Sequence, residues 1–593
     1  MANGMGSLFV GMSGLKSSQN ALNTTANNLS NVNTTGYVRQ QVLQTDNIYN
    51  TIDRNPSISY QQAGLGVDIG DVVHARDIFL DKSYRTESGR QAFYAATADA
   101  VNEVTTFFQE LQGEAFQDSL QDFWVSFQEL AKSPSDSVTL NLVVQKATLL
   151  VSRSEGIYNG LMDYQQNINT KISNDIDRVN ELGHRIFELN DEIKRTEAGR
   201  VETAMSLRDE RDNCLDELGA LAEITFKEDV NGVVKVMLEG MDFVNEAQVY
   251  EMGKLVDGVT GFVTAYWPHT SVPSRDYYDD VFSYTKPIAM ELGTDIGELR
   301  ALTLARGDRI ANYNDILGVS PEEYNGSTKD HIGAGMSVMM QAQAQLDQLF
   351  HGMVTAINDL LCPNTEASNL FDFSNSTNGT MVLRDVNGRS YRISEDTLFL
   401  DAENASLGAD GELPPAELFT RIGTERYTKI TMKNEDGTTS DYYMYNPEDP
   451  NNTDMQYTIL SVNANQVLKE QETKLPHMKQ DGQVDYDLME KLAALWEEEG
   501  LILNPNDTNK VTFLDYYSNM IGDLGTLGNV YESTSLSLTD TVAAVSNQRQ
   551  QIMGVSSDEE LTKMIRYQNA YNASSRFINV INEMIEHLVT QLG

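Results

Sequence analysis

Residues 26–40 read ANNLSNVNTTGYVRQ. They close a segment in which Leu8, Leu15, Leu22 and Leu29 recur every seventh position, with Met12 and Ala26 among the intervening same-face residues. An apolar residue at that period marks a helix with a seam along one side. Gly11 and Gly14 interrupt it, each costing about 1 kcal/mol relative to alanine, so the helix is weak by itself. Four asparagines, Asn27, Asn28, Asn31 and Asn33, crowd its end. An asparagine amide bonds neighbouring backbone and tolerates the left-handed conformation. At a helix C-terminus it takes the position glycine usually fills. Asn31 and Asn33, with Gly36, are therefore expected to stop the helix and turn the chain. Asn27 and Asn28 lie too early for that duty, and their amides are expected to satisfy groups of neighbouring chains in a packed assembly.

A matching seam lies at the other end of the 593-residue chain. Ser557-Asp558-Glu559-Glu560 reads as a capping box ahead of Leu561, with acidic groups favourably placed in the first turn. Steps of three and four then run through Met564, Tyr567, Tyr571, Ser574, Ile578, Ile581, Ile585, Leu588 and Leu592, a helix of roughly 50 Å at 1.5 Å per residue. Each terminal helix has one apolar face and needs a partner, so the two are expected to pair as a coiled coil. At about 25 cal/mol per Å² of apolar area, that burial outweighs the ordering of two weak helices only when several contacts form together.

Between the ends, proline marks the organisation. All 13 prolines avoid 1–55, 57–133, 135–267, 322–362 and 506–593, and seven fall within 363–505. Because proline breaks helix interiors, the long proline-free spans are candidate helices and 363–505 is a different, loop-rich region. Ile168, Ile172, Ile176, Val179, Leu182, Ile186, Leu189 and Ile193 form a third apolar stripe. The charge-dense SLRDERDNCLDEL (206–218) after it reads as the solvated start of another helix, and 336–361 reads as helical too. ITFKEDVNGVVKVMLEG alternates about Asn231-Gly232, and YTKITMKNEDGTTSDYYMY about Asp436-Gly437. Both are hairpin signals.

The net charge of −44 excludes a phosphate-binding surface of clustered Lys and Arg. It is unevenly placed: residues 1–75 hold three basic and four acidic side chains and 551–593 hold three basic and five acidic, which leaves −41 in the middle. Neutral ends suit self-packing and an acidic body suits solvent. Two cysteines, Cys214 and Cys362, make neither a metal spacing nor a disulfide framework. No run approaches the roughly 18 apolar residues of a membrane span. The first basic residue is Lys16 and no compact apolar core precedes a cleavage site, so the expectation is a cytosolic protein or one exported without a secretory signal.

Signs of catalysis are sparse. Seven histidines, His74, His184 and His351 among them, form no HExxH pair. GLGVDIG (64–70) misses the dinucleotide spacing and reads as turn glycines. DVNGRSYRISED (385–396) has its glycine fourth rather than sixth and lacks the closing acid of a calcium loop. GMSG (11–14) lacks the spacing of a nucleophile elbow, and Glu497-Glu498-Glu499 reads as a solvated face.

The opening stretch resembles the N-terminal signature shared by rod, hook and hook-associated axial proteins of the bacterial flagellum. SSDEELTKMIRYQNAYNASSRFINVINEMIEHLV (556–589) is similar to the C-terminus of the hook-associated members. Weaker similarity extends through RDERDNCLDEL (208–218) and GTDIGELRALTLARGD (293–308). The chain departs from the family in length, at 262–288 and in 363–505. The resemblance implies a fold that is mainly α with an inserted β-containing domain, in a discontinuous multidomain chain. Residues 1–75 and 551–593 would form a terminal inner-tube helical domain, 76–362 and 506–550 a helical body with a small β-hairpin region, and 363–505 an outer insert. It implies a non-enzymatic structural subunit joining hook to filament. Self-assembly would use Leu8, Leu15, Leu22, Asn27, Asn28, Leu29, Asn31, Asn33, Gly36, Met564, Tyr567, Tyr571, Ile578, Ile581, Ile585 and Leu588. Expected partners are further copies of the chain, the hook protein and hook-associated protein 3. A cytosolic chaperone on the C-terminal helix and the flagellar type III export apparatus would act before assembly, with an extracellular destination. No cofactor, metal, nucleic acid or membrane insertion is expected. The alternatives are a hook or rod protein, or a secreted hydrolase on the same helical frame, which would need a site in 363–505.

Overall fold

Asp136, just after Pro134, caps the longest element by accepting from the Val138 backbone N–H. With no proline to interrupt it, Ser137–Glu197 runs as one helix of 61 residues, about 90 Å at 1.5 Å per residue. The computed structural model describes residues 2–34, 36–55, 59–109, 116–199, 203–275, 277–328, 331–374, 379–434 and 437–592. The helices are α1 (Ala2–Ser30), α2 (Ile78–Gln109), α3 (Phe116–Lys132), α4 (Ser137–Glu197), α5 (Met205–Leu221), α6 (Glu298–Arg306) and α7 (Pro321–Asn325). They continue as α8 (Val338–Leu361), α9 (Ala367–Leu370), α10 (Gln466–Glu470), α11 (Tyr486–Ala494), α12 (Phe513–Met553) and α13 (Ser557–Leu592). The fold is mainly helical with a central β-containing region, and the two terminal helices pack on each other.

The stripe from Ile168 to Ile193 is buried throughout, and its members from Ile168 to Ile186 belong to the body core. Leu140, Val143, Val144, Ala147 and Leu150 extend it toward the N-terminus of α4. Alongside, α12 runs antiparallel to α2. Tyr517 meets Phe108, Tyr531 meets Tyr94, and Arg549 pairs with Asp81 at the far end. One correction concerns α5. Its charge-dense start is not a solvated face, because Asp209 and Arg211 are buried. Arg211 donates to Asn190 Oδ1 at 3.0 Å and to the Gly232 carbonyl at 2.6 Å, which brings three elements together.

Strands appear where sequence alternation is poor. β1 (Gln40–Asp46) pairs with β4 (Val67–His74), and β2 (Tyr49–Asn55) with β3 (Ser59–Gly64), building a long antiparallel arm where no strand was expected. Gly66, opposite Asn47 where β3 runs on into β4, takes φ +96°, and a Cβ there would strike Ser13 Oγ of α1, so arm and helix lie in contact. The expected hairpin at 224–250 is β5 (Ile224–Glu228), β6 (Val234–Leu238) and β7 (Met241–Val244), with Gly232 at φ +80° in its first turn. β8 (Gly253–Val256) pairs with β9 (Val263–Tyr266).

In the proline-rich region a four-stranded antiparallel sheet has the order β10 (Asn364–Glu366), β13 (Leu398–Leu400), β16 (Thr439–Tyr445), β15 (Tyr427–Lys433). The expected hairpin there is β15–β16, with Gly437 at φ +89°; Asp436, its other turn residue, lies outside the described residues. β11 (Thr380–Arg384) pairs with β12 (Ser390–Ser394). Asp385 between them accepts from the Asn387 and Arg389 backbone, an ordinary turn. β14 (Phe419–Arg421) pairs with β17 (Val462–Ala464).

Much of this region is not a separate body. Ala367, Leu383, Ile393, Phe399 and Ile430 make a small core of their own. Leu418, Phe419, Tyr457, Leu492 and Trp496 instead belong to the core of the helical body. Phe123 of α3 stacks edge-on against both Phe419 and Trp496, with centroids 6.0 and 5.5 Å apart. No helix among the described residues is long and apolar enough to cross a membrane.

Candidate assembly site at the paired chain ends

The buried face of α1 is made of small side chains. Gly11, Ser18, Ala21, Thr25 and Asn28 are buried. Leu8, Leu15, Leu22 and Leu29, the sequence-read seam, are only half-buried, one step around the helix. Small residues let helix backbones approach closely. A Cβ on Gly11 would lie 2.7 Å from Ile578 Cγ1, and one on Gly14 would lie 2.9 Å from Ser574 Oγ. Asn28, near the end of α1, bonds Glu560, near the start of α13. These three contacts fix the helices as antiparallel.

On α13 the inward stripe is Glu560, Met564, Tyr567, Tyr571, Ser574, Ile578 and Ile581, each buried or half-buried. Two members of the expected seam behave otherwise: Ile585 is 37% exposed and Leu588 is 55% exposed. The side chain of Leu592 lies outside the described residues. The cap also differs from the reading. Ser556, not Ser557, precedes the helix and accepts from the Glu559 N–H at 3.5 Å. Glu560 does not reach back to close a capping box; it is 1% exposed and points at α1.

Its partner explains an asparagine. Asn28 Nδ2 donates to Glu560 Oε2 at 3.1 Å and to the Gln40 carbonyl at 2.9 Å. Asn28 Oδ1 accepts from Tyr37 Oη at 2.8 Å and from the Gln40 N–H at 3.0 Å. The amide expected to serve a neighbouring chain is thus spent inside its own, joining both terminal helices to the arm. Burial, with the Asp209 and Glu560 charges, pushes the Tyr37 hydroxyl up to about 12, so it stays a donor. Asn27 is exposed, and its side-chain oxygen accepts from Asn31 Nδ2 at 3.0 Å. Asn31 Oδ1 in turn accepts from Thr34 Oγ1, tying off the helix end. Asn33 is exposed. Gly36 takes φ +78° beside Asn213, where any side chain would collide.

The root of the hairpin is seated on the body by charge. Arg39 pairs with Glu559 at 3.3 Å, and its N–H donates to the Met553 carbonyl at 2.8 Å. Below, Arg76, Arg85 and Arg549 interleave with Asp81, Asp212 and Asp216. Arg85 reaches Asp216 at 2.6 Å and Asp212 at 3.2 Å, and Arg549 reaches Asp81 and Asp216 at 2.9 Å each. Arg76 joins Asp81 at 2.7 Å and also contacts Asp212. Buried charges persist only when paired this way. Beside them Asp209 accepts from the Val38 N–H at 3.2 Å and faces His74 Nε2 at 3.4 Å. Burial pushes the Asp209 carboxyl up to about 7. Burial and the Arg76 and Arg208 charges hold the His74 imidazole down at about 4. Of these body residues only His74 was named from sequence, and not for this contact; the charge density of RDERDNCLDEL signalled Asp209, Asp212 and Asp216, and Arg76, Asp81, Arg85 and Arg549 carried no signal.

Further out the hairpin is greasy. Phe9 and Met12 on α1 are 58% and 54% exposed, and Phe577, Val580, Met584 and Val589 on α13 are 42%, 51%, 59% and 67% exposed. A single helical pair cannot cover two apolar faces, and exposed patches of this kind mark contact surfaces. Among the described residues no group of His, Cys, Asp and Glu has metal-site geometry.

The chain is similar to known flagellar proteins along its length. The family model "Flagellar hook-associated protein FlgK helical domain" matches residues 101–366. "Flagella basal body rod protein" matches 8–37, and "Flagellar basal body rod FlgEFG protein C-terminal" matches 547–592. Flagellar hook-associated protein 1 of Bacillus subtilis is 23% identical over 602 aligned positions, covering 99% of both chains. That of Salmonella typhimurium is 23% identical over 597, covering 98% of both. A solved structure of the flagellar hook junction protein FlgK from Burkholderia pseudomallei covers 79% of this chain and 99% of its own, at 12% identity and TM-score 0.46. With full-length relatives and family models over both ends and the helical body, the chain belongs to the family of flagellar hook-associated protein 1, structural rather than catalytic proteins.

Proposed function

We propose that this protein is an axial subunit of the bacterial flagellum at the junction of hook and filament, and that it assembles there through the α1/α13 hairpin. The exposed apolar stripe at the free end of the hairpin carries the reading. Phe9, Met12, Phe577, Val580 and Met584 face solvent in the single chain, and further copies of the same hairpin would cover them in a ring or helical layer. The sixteen residues read from sequence divide accordingly. The half-buried leucines, Asn28, Met564, Tyr567, Tyr571, Ile578 and Ile581 hold the hairpin together, Asn27, Asn31, Asn33 and Gly36 lie at the end of α1 and the turn after it, and Ile585 and Leu588 join the outward stripe. The hook protein and hook-associated protein 3 would abut this layer on either side. Before assembly the stripe needs cover, which a cytosolic chaperone on α13 would supply. Export would follow the flagellar type III route to an extracellular destination. The domain division is also part of this reading, with 1–75 and 551–593 innermost, 76–362 and 506–550 as the body and 363–505 outermost, the last sharing much of its core with the body.

Replacing Val580 and Met584 with aspartate tests it. A carboxylate buried without a partner is very costly, so the variant should fold and, in cells whose culture medium contains the exported variant, fail to join hooks to filaments. Electron microscopy of flagella from such a strain decides. Normal filaments on hooks would overturn assembly through this stripe.

A further inference from the structure

Past its root, the terminal hairpin carries charges that find no partner in their own chain. At the root, Glu559 pairs with Arg39 and Glu560 with Lys563. Beyond them Lys16 on α1 and Arg566, Arg576, Glu583 and Glu586 on α13 are exposed, and none joins an ion pair among the described residues. Charges on a helix are commonly answered three or four residues away. Here Arg576 has Asn572, Ala573, Asn579 and Val580 at those positions, and Glu583 has Asn579, Val580, Glu586 and His587.

These charges are sorted by sign along the hairpin. The bond of Asn28 to Glu560 and the close approaches of Gly14 to Ser574 and Gly11 to Ile578 set the level of α1 against α13. In that register Lys16 stands level with Asn572, between Arg566 and Arg576. A cationic middle therefore precedes an acidic free end, and α1 contains no acid. Both bands lie on the exposed apolar stripe. Lys16 continues Phe9 and Met12 at steps of three and four, and Arg576, Val580 and Glu583 follow one another at steps of four and three. Arg576 and Glu583 are about 10 Å apart along the helix at 1.5 Å per residue, and Arg566 and Glu586 about 30 Å, too far to pair within one chain.

Copies arrayed about one axis keep one direction, because rotation about that axis and translation along it do not invert them. Side by side at one level, cation would face cation and acid would face acid across an apolar contact that excludes water, which is costly. Displaced along the axis, the cationic middle of one hairpin meets the acidic end of the next. On the reading that copies assemble through this hairpin, we infer that neighbouring copies pack parallel and staggered by about 10–30 Å. Lys16, Arg566 and Arg576 of one copy face Glu583 and Glu586 of the next, and the layer is helical rather than a flat ring.

Charge reversal tests the pairing in flagella of cells whose culture medium contains the exported variant. Lys16→Glu with Arg566→Glu and Arg576→Glu, and separately Glu583→Lys with Glu586→Lys, should each lower the fraction of hooks bearing filaments about tenfold, because each sets like charges together. All five changes combined exchange the bands and should restore the parent fraction. Full junctions in either reversal would overturn the inference, as would a combined variant no better than the reversals. Arg576→Cys gives a measurement that needs no reversal. Oxidation of isolated flagella should yield no covalent dimer above the parent, whose cysteines are Cys214 and Cys362. A dimer through position 576 would set equal positions side by side and overturn the stagger. Failed junctions in Val580→Asp with Met584→Asp beside normal charge variants would remove the stagger alone, whereas normal junctions in that variant would remove the assembly reading itself.

Discussion

Asn28 shows how much one buried amide decides. With its donor and acceptor both doubly used, it joins α1, the arm and α13 at one point. Asn28→Ala should lower hairpin stability by about 2–4 kcal/mol, since it leaves the Glu560 carboxyl buried short of a donor. Hydrogen exchange across α1 and α13 would show it as lost protection, with the body unchanged. Asn28→Asp should be worse at neutral pH and recover on acidification. His74 and Asp209 make a second case, with opposing signs. The His74 value is depressed from 6.5 to about 4, so its contribution is present above pH 6.5 and lost as pH falls toward 4. The Asp209 value is raised from 3.8 to about 7, so its contribution is present below pH 4 and lost as pH rises through 7. Between pH 4 and 6.5 the two slopes oppose. Asp209→Asn should therefore lose stability on acidification across that window, relative to the parent. His74→Gln should gain it, measured as the shift in Tm with pH.

At the scale of elements, the terminal hairpin is a close pairing of unlike faces. Its α1 side is glycine, serine, alanine and threonine, and its α13 side is large. Gly11 and Gly14 look like defects when α1 is considered alone, and alanine would raise its helix propensity by about 1 kcal/mol at each position. In the pair, Ile578 and Ser574 occupy the space an added methyl would need. Gly11→Ala with Gly14→Ala should therefore destabilise the hairpin by about 1–3 kcal/mol, as overpacking does. At the same time an isolated 1–37 peptide carrying both changes should become more helical by circular dichroism. Matching gains in peptide and full chain would mean that the helices do not meet at these glycines.

Across the whole molecule, the apolar core does not respect the composition boundary at 363. Trp496 packs against Phe123 and Phe127 of α3 and against Phe513 of α12, yet it lies in the proline-rich region. Trp496→Ala should cost about 3–5 kcal/mol, the usual size for a buried aromatic, and should lower the melting of the helical body in calorimetry. Replacing the β11–β12 hairpin, residues 380–394, by a short flexible linker should leave that transition in place. Its Leu383 and Ile393 feed only the small separate core. Removing all of 363–505 would expose Phe123, Phe127 and Phe350 and should abolish the cooperative transition.

Periodicity alone determined the terminal helices, the α4 stripe, α8 and two of the hairpins, because each records which side of a local element meets apolar surroundings. The ends of the chain also carried enough residue-level signature to indicate the family. Pattern could not show which face of α1 is inside. Leucines are the obvious apolar choice, yet contact with a helix at the opposite end of the chain favours the small residues beside them, and closeness of approach is a property of two surfaces together. The buried charges at Asp209, Arg211, Arg85 and Arg549 were illegible for the same reason. A charged residue reads as solvated until a partner distant in sequence is placed against it. The arm at 40–74 was hidden because β1 and β4 lie against α1 and each other with little alternation, so their pairing is set by register and contact. Local sequence sets local shape; the tertiary structure decided which faces meet, and with that where apolar surface remains exposed.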